Sequence, residues 1–206
     1  MFAIKRILLL VLIALGTTSI EAQTMRQIWI DMPDEMVPYL NQSNRTELAD
    51  YVDMKVDAAI RNKLEDTTRI ERLTPEYIRV KLNASHRLEI RLLQKTDGSK
   101  VLCVVNTWLG PAADSKLSFY DADWHQLADI SVPTATNEQL CFRPEGMSQE
   151  RYAELLAMLD PLLTEIVLSE TDDTITFRRS VPIVSNDDLP ELKSILYDYV
   201  VKALQP

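Results

Sequence analysis

Glycine is scarce, with four in 206 residues. Neither G-x-G-x-x-G nor G-x-x-x-x-G-K-[ST] occurs, which excludes the two common backbone cradles for nucleotide phosphates. Basic charge is also short: 22 Lys+Arg stand against 31 Asp+Glu, for a formal net charge of -9. Nucleic acids and anionic bilayers attract basic faces, so neither is a natural partner for this chain. Histidine occurs only as His86 and His125, and no G-x-S-x-G elbow exists. Little is left from which to build a Ser-His-Asp or Cys-His site. Beyond residue 22 no apolar run is long enough to span a bilayer core of roughly 30 Å. No Gly/Ser/Pro-rich linker divides the chain. What is present suits a folded protein: 46% hydrophobic and 26% charged residues, enough to bury a core.

Residues 1–22 read as a leader. Lys5 and Arg6 precede the apolar run 7–15, followed by Gly16, Thr17, Thr18, Ser19 and the small residue Ala22. That order is the grammar of a secretory signal peptide, with cleavage expected after Ala22. As a helix the run would extend about 14 Å at ~1.5 Å per residue, too short to cross a membrane. Position 23 is Gln, not Cys, so no lipoprotein anchor is indicated. The expectation is an exported protein, periplasmic or extracellular, without stable membrane insertion, in which residues 23–206 form one domain.

Export gives the two cysteines two readings. In an oxidising compartment a pair commonly bridges, which makes Cys103 and Cys141 a candidate disulfide. It would close a loop of about 39 residues and stabilise by ~4 kcal/mol on a chain-entropy estimate. The alternative is two buried thiols packing as small apolar groups, since each lies beside apolar neighbours.

The hydrophobic periodicity changes along the chain. Residues 31–40, with Pro33 and Pro38, suggest a short helical turn. Asn44 and Glu47 give a capping-box signal for a helix lined by Leu48, Val52, Val56, Ile60 and Leu64. From Tyr77 the period is two: Ile78, Val80 and Leu82, then Leu88, Ile90 and Leu92, alternate with charged residues including Arg79, Arg87, Glu89 and Arg91. These are strands with one face toward the core. Asp97-Gly98 is a hairpin turn that leads into 101–105, apolar on both faces and therefore a central strand. Segments 117–121 and 124–130 suggest another hairpin. Ser148 caps a second helix carrying Tyr152, Leu155, Leu156 and Leu159, stopped by Pro161. Ile166, Leu168, Ile175 and Phe177 flank Thr171-Asp172-Asp173 as one more hairpin. A last helix, from Asp187 or Asp188, aligns Leu189, Leu192, Ile195, Leu196, Tyr199, Val200 and Ala203. The expected fold is α+β: an antiparallel meander of about five strands plus a further hairpin, with three main helices.

Chemistry-bearing clusters are few. Asp121, Asp123 and His125 have the donor types for a divalent cation. An EF-hand's further ligands and its Gly are missing, however, and tight turns select the same carboxylates. The turn reading is adopted, for Asp172-Asp173 as well, and no metal or cofactor is assigned. Asp187-Asp188 fits a helix start. A glycosidase needs two carboxylates facing across a cleft, but linear spacing does not identify which acids converge. Trp108, just before the Gly110-Pro111 turn, and Trp124 are candidate binding-surface aromatics for a sugar or a protein. The plain alternative is that each closes one end of the sheet core, and Trp108 is the better placed to reach a surface.

The stretches MPDEMVPYL (32–40), NRTELADYVD (44–53), VLCVVNTWLGPAADS (101–115) and FYDADWHQL (119–127) together resemble an uncharacterised secreted family, a domain of unknown function, of Bacteroidales gut bacteria. The resemblance spans most of the mature chain. It implies a periplasmic or extracellular setting and carries over no catalytic residue or cofactor. In such bacteria Asp-Thr followed by Thr or Ile can mark O-glycosylation, which points to Asp66-Thr67-Thr68 and Asp173-Thr174-Ile175. The functional expectation is an exported non-catalytic binding or structural module whose partner is a protein or a surface glycan. The rival is a small secreted hydrolase using acidic residues.

Overall fold

The two-residue periodicity builds an antiparallel sheet in simple sequence order: β1 (Ala59–Arg61), β2 (Thr67–Leu73), β3 (Tyr77–Asn83), β4 (His86–Gln94), β5 (Lys100–Leu109) and β6 (Ala113–Tyr120). The computed structural model describes residues 23–182 and 185–204, so the leader expected at 1–22 lies outside the described residues. β4 and β5 pair from Gln94↔Lys100 out to His86↔Trp108. Gly98, at φ 85, supplies the left-handed turn residue between them.

The first face of this sheet carries Ile78, Val80, Leu82, Leu88, Ile90, Leu92, Leu102 and Val104. Against it pack α1 (Met25–Asp31), capped by Thr24, and α2 (Gln42–Asp53), capped by a reciprocal Asn41–Asn44 box. Met25, Ile28, Trp29 and Leu48 are fully buried there. Arg45 is buried with them. Its guanidinium donates to the carbonyls of Leu40 (2.9 Å), Ile30 (3.4 Å) and Met32 and pairs with Asp34 at 2.9 Å. These bonds satisfy the charge and hold the irregular segment between the helices.

The second face carries Tyr77, Leu93, Val101, Cys103, Val105, Leu117 and Phe119. It is covered by a second antiparallel sheet, β7 (Thr164–Leu168), β8 (Thr174–Arg179) and β9 (Tyr199–Lys202) in that order, with α3 (Asn137–Leu140), α4 (Gln149–Ala157) and α5 (Leu189–Ser194). β7 is fastened at alternate residues. The backbone N–H groups of Thr164, Ile166 and Leu168 donate to Asp114 Oδ1 (3.3 Å), Ser115 Oγ (3.0 Å) and Glu89 Oε2 (3.3 Å). Glu89 is fully buried, and its other oxygen accepts from Tyr77 Oη (3.0 Å) and Arg79 Nε (2.6 Å).

The α+β meander stands, with several differences from the expected elements. The meander has six strands: β1 occupies part of the region that the four-residue apolar spacing assigned to the far half of a helix, and β2 lies in the stretch before Tyr77 for which no strand was expected. α2 starts one turn earlier than expected and ends at Asp53; Lys55, at φ 57, leaves the helical region. Residues 124–130 form no strand and contribute only the bridge Tyr120↔Gln126. The last helix ends at Ser194, and Tyr199–Lys202 is β9, pairing from Phe177↔Tyr199 to Thr174↔Lys202. Tyr199, Val200 and Val201 are aromatic and β-branched, which suits a pleated surface better than a helix. The three helices of seven or more residues are α1, α2 and α4, so α1 replaces the expected C-terminal helix.

Candidate functional site

Trp108 is 49% exposed, a large fraction for an indole on a strand. Its cross-strand partner is His86, and the two rings stack with centroids 5.5 Å apart and planes 6° from parallel. Residues 86, 106 and 108 share the face of the sheet that the helices cover farther along. The platform lies where that cover gives way to the loop carrying Tyr39. His86 is held at both nitrogens: Nε2 lies 3.0 Å from Asn106 Oδ1, and Nδ1 lies 3.2 Å from Tyr39 Oη. An amide oxygen only accepts, so Nε2 carries the proton and Nδ1 accepts from the Tyr39 hydroxyl. Asn83 Nδ2 in turn donates to Tyr39 Oη at 3.4 Å. Burial lowers the His86 pKa and raises that of Tyr39. A neutral imidazole therefore backs the indole, with the Asn106 amide beside it. An exposed aromatic face rimmed by amide donors and acceptors is chemically suited to a polar ligand with an apolar face.

Trp124 is a different case. It is 8% exposed, packs in the first core and lies 5.7 Å from the Tyr120 ring, so it closes the sheet end as the plain alternative expected. Its φ of 67 is imposed by the turn from Asp121 to His125. Asp121, Asp123 and His125 do converge, with one ligand-type atom from each within 4.8 Å of the others. Asp121 is already engaged: Oδ1 accepts from the backbone N–H groups of Asp123 (2.9 Å) and His125 (2.8 Å), and Oδ2 meets His125 Nδ1 at 3.1 Å. The hydrogen bond from the His125 backbone, first among these contacts, keeps the Asp121 carboxyl below its usual range. These are the bonds of a turn.

A cleft of about 410 Å³ is lined by Glu76, Arg91, Lys100, Asp172, Asp173 and Gln23 among others. Glu76 and Asp173 both approach Arg91 Nη2, at 3.2 and 3.6 Å. Asp172 accepts from the Thr174 hydroxyl and backbone N–H, which hold its carboxyl below the ordinary range. A glycosidase general acid requires a shift in the opposite direction. Asp188 takes part in the α5 start through Ser185 and Arg151.

Cys103 and Cys141 are both buried in the second core as free thiols, which is the alternative to the bridge expected from export. Burial pushes both pKa values up, so neither is poised as a nucleophile. Of the threonines singled out, Thr67 is exposed, whereas Thr68 is fully buried and donates to Leu82 O; the Thr174 hydroxyl is taken by Asp172. Sequence reasoning selected Trp108 but missed His86, Tyr39 and Asn106. The signal was available in part: extending the hairpin outward from Asp97-Gly98 brings position 86 opposite 108 to within one residue.

The fold is similar to that of a solved domain of an uncharacterized protein from Porphyromonas gingivalis W83, with a TM-score of 0.70 and 23% sequence identity over 89% of this chain and 96% of that one. That organism is a Bacteroidales member, in line with the resemblance drawn from the sequence. No curated protein matches the chain. The model of a family described as "Protein of unknown function (DUF3256)" matches residues 17–201, and the chain belongs to that family.

Proposed function

We propose that this protein is an exported, non-catalytic binding module, and that it takes a glycan on the Trp108 platform. The observation that carries the reading is the half-exposed indole backed by a fixed, neutral imidazole. A pyranose ring has an apolar C–H face and a hydroxyl rim; the former suits the indole and the latter the amide of Asn106. Pre-positioning of Trp108 by His86 lowers the ordering cost of binding. The rival hydrolase would need a carboxyl held in its protonated state within a cleft.

Titration calorimetry of the exported protein against polysaccharide fragments tests the module. Trp108→Ala should weaken binding about tenfold or more, equivalent to ~1.4 kcal/mol, while leaving thermal stability nearly unchanged. Glycan binding that ignores Trp108→Ala, or release of reducing ends during incubation, would replace this reading.

A further inference from the structure

The small sheet has two edges, and they differ. The edge of β7 is bonded to side chains of the large sheet, whereas among the described residues β9 has a strand partner on one side only. Ala203 N–H donates to Asp173 O at 2.8 Å and continues the ladder in which Val201 lies opposite Ile175 and Tyr199 opposite Phe177. Bonding alternates along an antiparallel strand, so the N–H and C=O groups of Val200 and Lys202 point away from β8. This edge also carries apolar surface. Val200 is 54% exposed, and just before the strand Tyr197 and Phe142 are exposed, edge-on to one another with centroids 6.1 Å apart. Neither proline nor a bulge guards the strand.

The charges around Val200 are placed in opposite senses, with Asp198 two residues before it and Lys202 two residues after. A second β9 laid antiparallel and centred on Val200 sets Asp198 of each copy against Lys202 of the other. Centring on Asp198 or Lys202 opposes like charges, and centring on Tyr199 or Val201 sets a charge against Val200. Asp198 meets Arg178 through Oδ2 alone, at 3.0 Å, in an exposed pair.

We propose that the occupant of this edge is a second copy of the chain: two β9 strands pair antiparallel about a two-fold axis at Val200 and join the small sheets into one of six strands. Each Val200 then exchanges both its backbone hydrogen bonds with its mate, and the two exposed side chains cover one another. The interface is isologous, the same patch serving both copies. The paired edge is short, so the affinity is modest. The proposal stands independently of the glycan reading.

Sedimentation velocity of the exported protein, from about 1 μM to about 1 mM, should show a monomer–dimer equilibrium. Val200→Lys sets two ammonium groups against each other at the axis and should weaken the dimer about tenfold or more. Lys202→Asp and Asp198→Lys should each weaken it similarly, by opposing like charges. An equimolar mixture of those two variants should dimerise again, because every Lys then meets an Asp across the axis. All three positions are exposed, so thermal unfolding should stay near wild type. A monomer throughout the range overturns the proposal, and that measurement requires no variant to fold. A dimer indifferent to all three substitutions overturns it too, as does a mixture no more dimeric than its components.

Discussion

The two faces of the six-stranded sheet are buried by different means. The first face meets helices through a nearly all-apolar core, with Arg45 as its one deeply buried charge among the described residues, bonded mainly to carbonyls. The second face carries a charged zone, Arg79, Arg87, Glu89 and Arg91, and the covering sheet answers with Glu165 of β7 and with Glu170 and Asp173 in the turn after it. Apolar area drives the first contact without regard to direction. In the second, paired charges fix where β7 must lie, because a buried carboxylate or guanidinium left alone is costly. One interface is held by bulk and the other by registration.

The strongest challenge to this contrast is Arg45→Ala. It orphans several carbonyls inside the apolar core and should cost about 3 to 5 kcal/mol, measured by urea unfolding. Glu89→Ala should cost somewhat less, about 2 to 4 kcal/mol, because Arg79 is partly exposed and regains water. Its distinguishing effect should be local: faster amide exchange at Leu168 in β7, with α1 unaffected. Uniform loosening of both faces would erase the distinction. The smallest effect concerns pH. His86 has a lowered folded pKa against about 6.5 unfolded, so the unfolded chain binds the extra proton first. Its contribution is fully present above about pH 6.5 and declines as the pH falls from there toward the folded pKa. His86→Gln should flatten that part of a stability–pH curve.

The same contrast explains what was legible in the sequence. The strand at 101–105, apolar on both faces, was readable as a central strand because burial on each side leaves a continuous apolar run. The alternation in β4 suggested a solvent-facing side, yet Glu89 and Arg91 are buried. Charged residues in a strand look identical whether water or a complementary strand faces them, and those partners lie almost 80 positions away. Trp108 could be singled out from its turn, whereas its support by Tyr39 depends on a contact 47 residues from His86. β9 was masked by apolar residues that satisfy a helical stripe as well as a strand over so short a stretch.

The fastening of β7 also bears on assembly. Along its outer edge alternate N–H groups are already consumed by Asp114, Ser115 and Glu89, so this side offers no free ladder for an incoming strand. Among the described residues, growth of the small sheet is therefore polar, open past β9 and closed past β7. That asymmetry blocks runaway stacking through the β7 edge: two copies could join β9 to β9, but such a junction would end at a closed edge on each side instead of propagating into a fibre.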